Sequence, residues 1–273
     1  MVSASLGDIT VGYDDVGRGD ALVLVHGHPF DRSMWRPQVE HASGLGWRVI
    51  AADLRGYGET SVVPGATTLD VFARDVVDLV DHLGIDRFVL AGLSMGGQIV
   101  MELVHLFPER VRGLLLADTS PRAETPEGKV ERNRIADRLV TEGMAGHADE
   151  LLPRMVSPVT LAERPAVAEH VLAMMRGAPA EGAAAALRGR AERRDHDDTL
   201  AGLTIPTLIV VGTDDDYTPV DEARRMHDLL PGSSLVVVEG AGHLPNLECP
   251  DEFNTALEGL LRAAAVPGDE PVG

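Results

Sequence analysis

The chain has 273 residues, 44% hydrophobic and 25% charged, enough for one large globular α/β domain or a core with a smaller insertion. Its formal net charge of −19 argues against nucleic acid or an anionic membrane as partner, since both need a basic face. A single cysteine, Cys249, excludes an internal disulfide and a cysteine-built zinc site.

The opening residues, MVSASLGDIT, carry neither a basic nor an apolar segment of signal-peptide type, and no apolar run approaches a membrane span. A soluble, cytoplasmic protein is expected. Short apolar runs at 21–25, 49–52, 88–91, 114–117, 207–211 and 235–238 fit strands of a sheet covered on both faces. Between them, Leu69, Phe72, Val76, Leu79 and Leu83 recur at helical spacing behind a capping box from Thr67 to Asp70, and Gly84 supplies the stop. Segments 98–107, closed by Pro108, and 220–230, closed by Pro231 and Gly232, read as further helices. The alternation predicts a mostly parallel α/β sheet. From about 119 to 200 it breaks into helical segments interrupted by Pro and Gly, with no strand. An all-helical insertion at 119–200 is expected in a core of 1–118 and 201–266, with a frayed tail at 267–273.

The chemistry starts at Gly92-Leu93-Ser94-Met95-Gly96, between a predicted strand and a predicted helix. A G-x-S-x-G pentapeptide in that setting is a nucleophile elbow, whose tight turn lifts the serine hydroxyl out at the carboxyl edge of the sheet. A serine hydroxyl needs a base to take its proton, and the base needs a carboxylate to orient it. His243 follows the last predicted strand through a Gly-Ala-Gly turn, so it reaches the same edge. The loop after the preceding strand offers Asp214, Asp215 and Asp216, and Asp118 follows the strand before that. The chain order Ser, Asp, His is the one expected for this architecture.

HGHP at 26–29, DLRGYGET at 53–60, GLSMGG at 92–97, ADT at 117–119, GTDDDYTP at 212–219 and GAGH at 240–243 together span nearly the whole chain. On these motifs the chain resembles an α/β-hydrolase, specifically the branch with 3-oxoadipate enol-lactonases, small carboxylesterases and cofactor-free haloperoxidases. The resemblance implies a Ser94–His243–Asp215 triad, Asp215 being selected by its distance from the glycine and from Thr-Pro. It implies backbone N–H groups of His28 and Met95 as oxyanion donors, a helical cap at 119–200, and no cofactor. The expected activity is hydrolysis of a small ester or lactone through an acyl-enzyme. Perhydrolysis by the same intermediate and a slowly turning-over ligand sensor are the alternatives, and a homo-oligomer is left open. A histidine at 28 departs from the apolar or aromatic residue common there in the family.

A metal-dependent lactonase is a poorer match. His26-Gly27-His28 is followed by Asp31 one place late and by Arg32 where a further histidine would be needed, so no third ligand completes a metal set. The segment 119–200 contains no aromatic residue, so its share of a binding pocket must come from residues such as Leu151, Met155, Met174 and Met175. It carries Lys129 and eleven arginines against fourteen acids. Arg188, Arg190, Arg193 and Arg194 cluster just before the return to the sheet. Because arginine pairs bidentately with carboxylates, one of them is expected to select a substrate with an acidic group.

Overall fold

The computed structural model describes residues 2–265; the tail expected at 267–273 lies outside them. A hairpin of β1 (Val2–Leu6) and β2 (Ile9–Val16) leads into β3 (Ala21–Val25), α1 (Arg36–Gly44), β4 (Arg48–Ala52) and α2 (Leu69–His82). Then come β5 (Phe88–Leu93), α3 (Met95–Leu106) and β6 (Val111–Ala117). Six helices follow without a strand: α4 (Pro126–Glu142), α5 (Ala145–Met155), α6 (Pro158–Glu163), α7 (Pro165–Gly177), α8 (Ala180–Ala191) and α9 (Asp197–Ala201). The sheet resumes with β7 (Thr207–Gly212), α10 (Val220–Leu229) and β8 (Ser234–Val238), and the chain closes with α11 (Pro245–Glu248) and α12 (Pro250–Ala264).

The strands form one sheet in the order β1-β2-β4-β3-β5-β6-β7-β8. β2 pairs antiparallel with β1 and β4, and every other pairing is parallel. The two faces explain the unbroken apolar runs. In β3, Val23 and Val25 join a core that includes Phe72 of α2 and Ile99 of α3, while Leu22 and Leu24 join a second core with Trp35 and with Phe253 of α12. A strand with helices on both faces needs apolar residues at every position.

β1 and β2 were not anticipated because they lack such runs. They alternate instead, with Ala4, Ile9, Val11 and Tyr13 turned inward and Ser3, Ser5 and Thr10 exposed, the pattern of an edge hairpin with one wet face. The capping box from Thr67 to Asp70 does not form. The N-cap of α2 is Thr68, with no side-chain cap bond, and the Thr67 N–H is instead donated to the Ala185 carbonyl of α8. Helix α3 begins at Met95, three residues before the expected start, because the chain turns into it directly from Ser94.

That α8 contact belongs to a close seam between the inserted helices and the sheet's loops. A Cβ on Gly182 would lie 1.9 Å from the Gly56 carbonyl oxygen, and one on Gly189 would lie 1.7 Å from that of Thr67. Backbone therefore meets backbone along one face of α8. Gly182→Ala should lower the melting temperature although alanine is the better helix former, since overpacking costs ~1–3 kcal/mol. Gly146→Ala in α5, where a Cβ meets nothing within 4 Å, should raise it. Thermal denaturation of the two variants gives opposite signs if the seam is as tight as described.

Candidate active site

β5 ends at Leu93, and Ser94 turns the chain with φ 57° and ψ −117°. A side chain held in so sparsely populated a region is strained, and the neighbours show what holds it. The Ser94 N–H is donated to the Ala117 carbonyl at 2.9 Å, and Thr119 Oγ1 donates to the Ser94 carbonyl at 2.8 Å. The glycines allow the approach: a Cβ on Gly92 would lie 2.3 Å from the Gly96 oxygen, and one on Gly96 would lie 2.1 Å from the Val25 oxygen. Any larger residue at either place would push the elbow away from the sheet.

Ser94, His28 and His243 line one cavity of about 230 Å³, whose other wall comes from the inserted helices. His243 Nδ1 lies 2.8 Å from Asp215 Oδ2, and both residues are buried. Burial pushes the Asp215 carboxyl up. The His243 charge beside it, together with hydrogen bonds from His243, Tyr217 and Thr218, outweighs that and holds it below the usual carboxylate range. Asp214 and Asp216 are exposed, and Asp216 reaches Arg154 at 3.7 Å. Of the three adjacent acids, Asp215 is the one beside the imidazole.

The loop bearing His243 is tied down from two sides. Its own N–H is donated to the Met155 carbonyl at 3.2 Å. The N–H groups of Gly242 and Leu244 are donated to Glu248 Oε1, while the Ser157 N–H and the Thr160 hydroxyl are donated to Glu248 Oε2. Glu248 is a buried acid with its acceptor positions used, which joins the histidine loop to the start of α6. The sequence marks it only as one acid in the apolar stretch HLPNLECP.

Met95 is the first residue of α3, so its N–H has no intrahelical acceptor. A Cβ on Gly27 would lie 3.2 Å from Ser94 Cβ, which puts the chain at His28 beside the elbow. The His28 ring is buried, with Nδ1 2.7 Å from the Tyr57 hydroxyl. Burial first, and then the Arg190 charge, hold the imidazole well below its ordinary pKa, so it is neutral. His26 is committed elsewhere: Nδ1–H donates to the Gly27 carbonyl and Nε2 accepts the Leu54 N–H. With both ring nitrogens on backbone, His26 is not arranged as a metal ligand.

The four clustered arginines separate. Arg188 pairs with Asp137 at 2.8 Å on the surface, and Arg194 reaches Glu102 at 3.3 Å with its side chain 54% exposed. Neither lines the cavity, nor does Met174, which is buried in the second core with Val171 and Ala148. Arg190, Arg193, Leu151 and Met155 do line it. Arg193 pairs with Glu124, which it shares with Arg132 on the same cavity wall. Arg190 is different. Among the described residues its hydrogen-bond partner is the Gln98 side-chain oxygen at 3.1 Å, and no carboxylate lies within ion-pair distance. Burial, then the charges of Arg132 and Arg193, pull its pKa well below the ordinary arginine value. The cavity also contains an aromatic ring that the inserted helices lack: Tyr217, two residues after Asp215, lies 5.2 Å from the His243 ring and carries the Arg154 guanidinium at 4.2 Å on its face.

A larger groove of about 600 Å³ around Arg32 holds none of Ser94, Asp215 and His243. Of its five acids, Asp14, Asp53 and Glu59 are paired with Arg32. Among the described residues no helix is long and apolar enough to cross a membrane.

Comparison with known proteins places the fold. The family described as alpha/beta hydrolase fold matches residues 20–250. The chain is 30% identical over 258 residues to a 3-oxoadipate enol-lactonase of Acinetobacter baylyi, covering 93% of this chain and 94% of that one. Among solved structures, a thermophilic esterase from Thermogutta terrifontis, with malate bound, superposes with a TM-score of 0.93 at 39% identity, covering 97% of this chain and 99% of that one. The enol-lactonase from Burkholderia xenovorans superposes with a TM-score of 0.88 at 28% identity, covering 96% of this chain and all of the other, 100%. Relatives that are lactonases and esterases support a hydrolase. By its sheet, its elbow and its match over most of its length, the chain belongs to the alpha/beta hydrolase fold family.

Proposed function

We propose that this protein hydrolyses a small carboxylic ester or lactone through a serine-bound acyl intermediate, and that its substrate carries a free carboxylate. One observation carries the first part: Ser94, on a strained elbow, shares a cavity with His243, whose ring is held by the buried Asp215 at 2.8 Å. Ser94 Oγ attacks the carbonyl carbon as His243 Nε2 takes the hydroxyl proton, and Asp215 at Nδ1 holds the ring and offsets its new charge. The Met95 and His28 N–H groups receive the oxyanion, where one donor is worth ~10²–10³ in rate. The tetrahedral species then collapses, and His243 returns the proton to the leaving alkoxide. Water repeats the sequence on the acyl-serine, with His243 as base, and releases the acid. From a lactone, the alcohol and the acid stay in one ring-opened product. The cavity of about 230 Å³ restricts the substrate to a few carbons on either side of the carbonyl.

The second part rests on Arg190. A cation out of water without an anion is several kcal/mol unfavourable, and a bound carboxylate removes that penalty while pairing bidentately. Malate, held by the 39% identical esterase, is a small molecule of that chemical class.

Ser94→Ala should cut kcat by ~10⁴ or more with the fold intact, read by circular dichroism alongside turnover. Asp215→Asn should lose ~10²–10⁴ in kcat, against less than ~3-fold for Asp214→Asn and Asp216→Asn. Equal losses at all three would remove Asp215 from its assigned role.

Since Asp215 stays ionised well into the acid range, the fall of kcat/KM on acidification should follow one protonation, that of the histidine base. A profile flat from about pH 5 to 8 would rule against His243. Arg190→Met should raise KM ~10–100-fold for carboxylate-bearing esters and leave neutral esters of the same size within ~3-fold. Matched losses on both classes would make Arg190 structural.

A further inference from the structure

Asp118 ends β6 with φ 45°, a conformation rare for a residue other than glycine, and it is 1% exposed. Its Oδ1 accepts the Gly212 N–H at 3.0 Å, and its Oδ2 is buried without an N–H or hydroxyl donor among the described residues. What it does face is another acid. One atom each from Asp118, Asp215 and His243 lie within 4.8 Å of one another, so two buried carboxyl groups are close neighbours. A carboxyl oxygen without a donor, set against a second acid, needs a proton of its own.

We propose that Asp118 is a positioning residue that keeps its proton at neutral pH and donates it from Oδ2 to Asp215, steadying that carboxylate against His243 and limiting how strongly it charges the imidazole. This rests on the triad reading given above.

The surroundings agree. Burial first, then the charges of Asp215 and Glu248, push the Asp118 carboxyl well above the usual range, and only the Gly212 N–H opposes them. Two carboxylates this close, out of water, cannot both ionise, so one proton is shared unequally. Asp215 has the imidazole and the Tyr217 and Thr218 N–H groups on its side, so Asp118 is the acid that stays protonated. The cations nearby, Arg154 and Arg190, act on Tyr217 across the cavity.

The position of the proton has consequences that can be measured. The direct experiment is the infrared difference spectrum between the wild-type protein and Asp118→Asn at neutral pH. A protonated-carboxyl carbonyl band present only in the wild type is expected, and its absence overturns the proposal. That readout needs no turnover, so it stands even if Ser94→Ala stays active and the acyl-enzyme reading fails.

The kinetic experiment follows the acid limb of kcat/KM. Asparagine keeps the acceptor for Gly212 and an N–H for Asp215, so Asp118→Asn should hold the midpoint within ~0.3 unit. Asp118→Ala removes the donor, concentrates charge on Asp215 and favours the imidazolium, so the midpoint should rise by ~1 unit. A midpoint that falls by ~1 unit in Asp118→Asn would mean that the wild-type residue is ionised, and the proposal is wrong. An unmoved midpoint in Asp118→Ala, with only a lower melting temperature, would assign Asp118 to packing and also overturn it.

Discussion

A parallel sheet delivers the carboxyl ends of its strands to one edge, and four of the candidate groups in this protein hang from that edge. Ser94 follows β5, Asp118 follows β6, Asp215 follows β7 and His243 follows β8. Because these strands are neighbours in the sheet, residues more than a hundred positions apart arrive within a few ångströms. The register does the rest. Ala91 lies opposite Leu115, and Leu115 opposite Leu208, so successive loops start at nearly the same height. A slip of one residue would turn each side chain to the other face of the sheet.

Charge inside this edge is arranged by pairing rather than avoided. Asp215 sits on an imidazole, Glu248 on two N–H groups of the histidine loop and two donors from the inserted helices, and Arg193 on Glu124. Buried ions are tolerated on these terms because each has a partner that replaces the lost water. Arg190 and Asp118 stand apart, the first without a carboxylate and the second without a donor on Oδ2. Both line the cavity around Ser94. Departures from pairing thus coincide with the place where a ligand or a proton would complete it.

Much of this was legible in the chain, and what was not has identifiable causes. The central strands announced themselves as apolar runs, whereas the edge hairpin, wet on one face, alternated and passed unnoticed. Ser94 and His243 stood out by their turn glycines. Three adjacent acids after β7 could be told apart only through the family pattern, because their exposure depends on how the loop folds back. For the arginines the missing information was the rotation of α8. Gly182 and Gly189, seven apart, lie along one face of that helix and mark where it meets the core, and that face sets which neighbours turn inward. Arg190 is buried at 8% exposure and Arg188 is not, two positions apart on the same helix. Tyr217 carries no signal of its own, since it stands in an acidic turn outside the aromatic-free inserted segment.

The glycine seam of α8 also bears on how such a protein can change. A helix that meets Gly56 and Thr67 backbone to backbone has no side-chain layer to trim, so it cannot be eased outward to enlarge the cavity. Ile135 of α4 with Leu151 and Met155 of α5 have no such constraint, and they face the same space. Substitutions at those three positions would reshape the cavity without moving backbone, whereas α8 holds position 190 as a fixed floor.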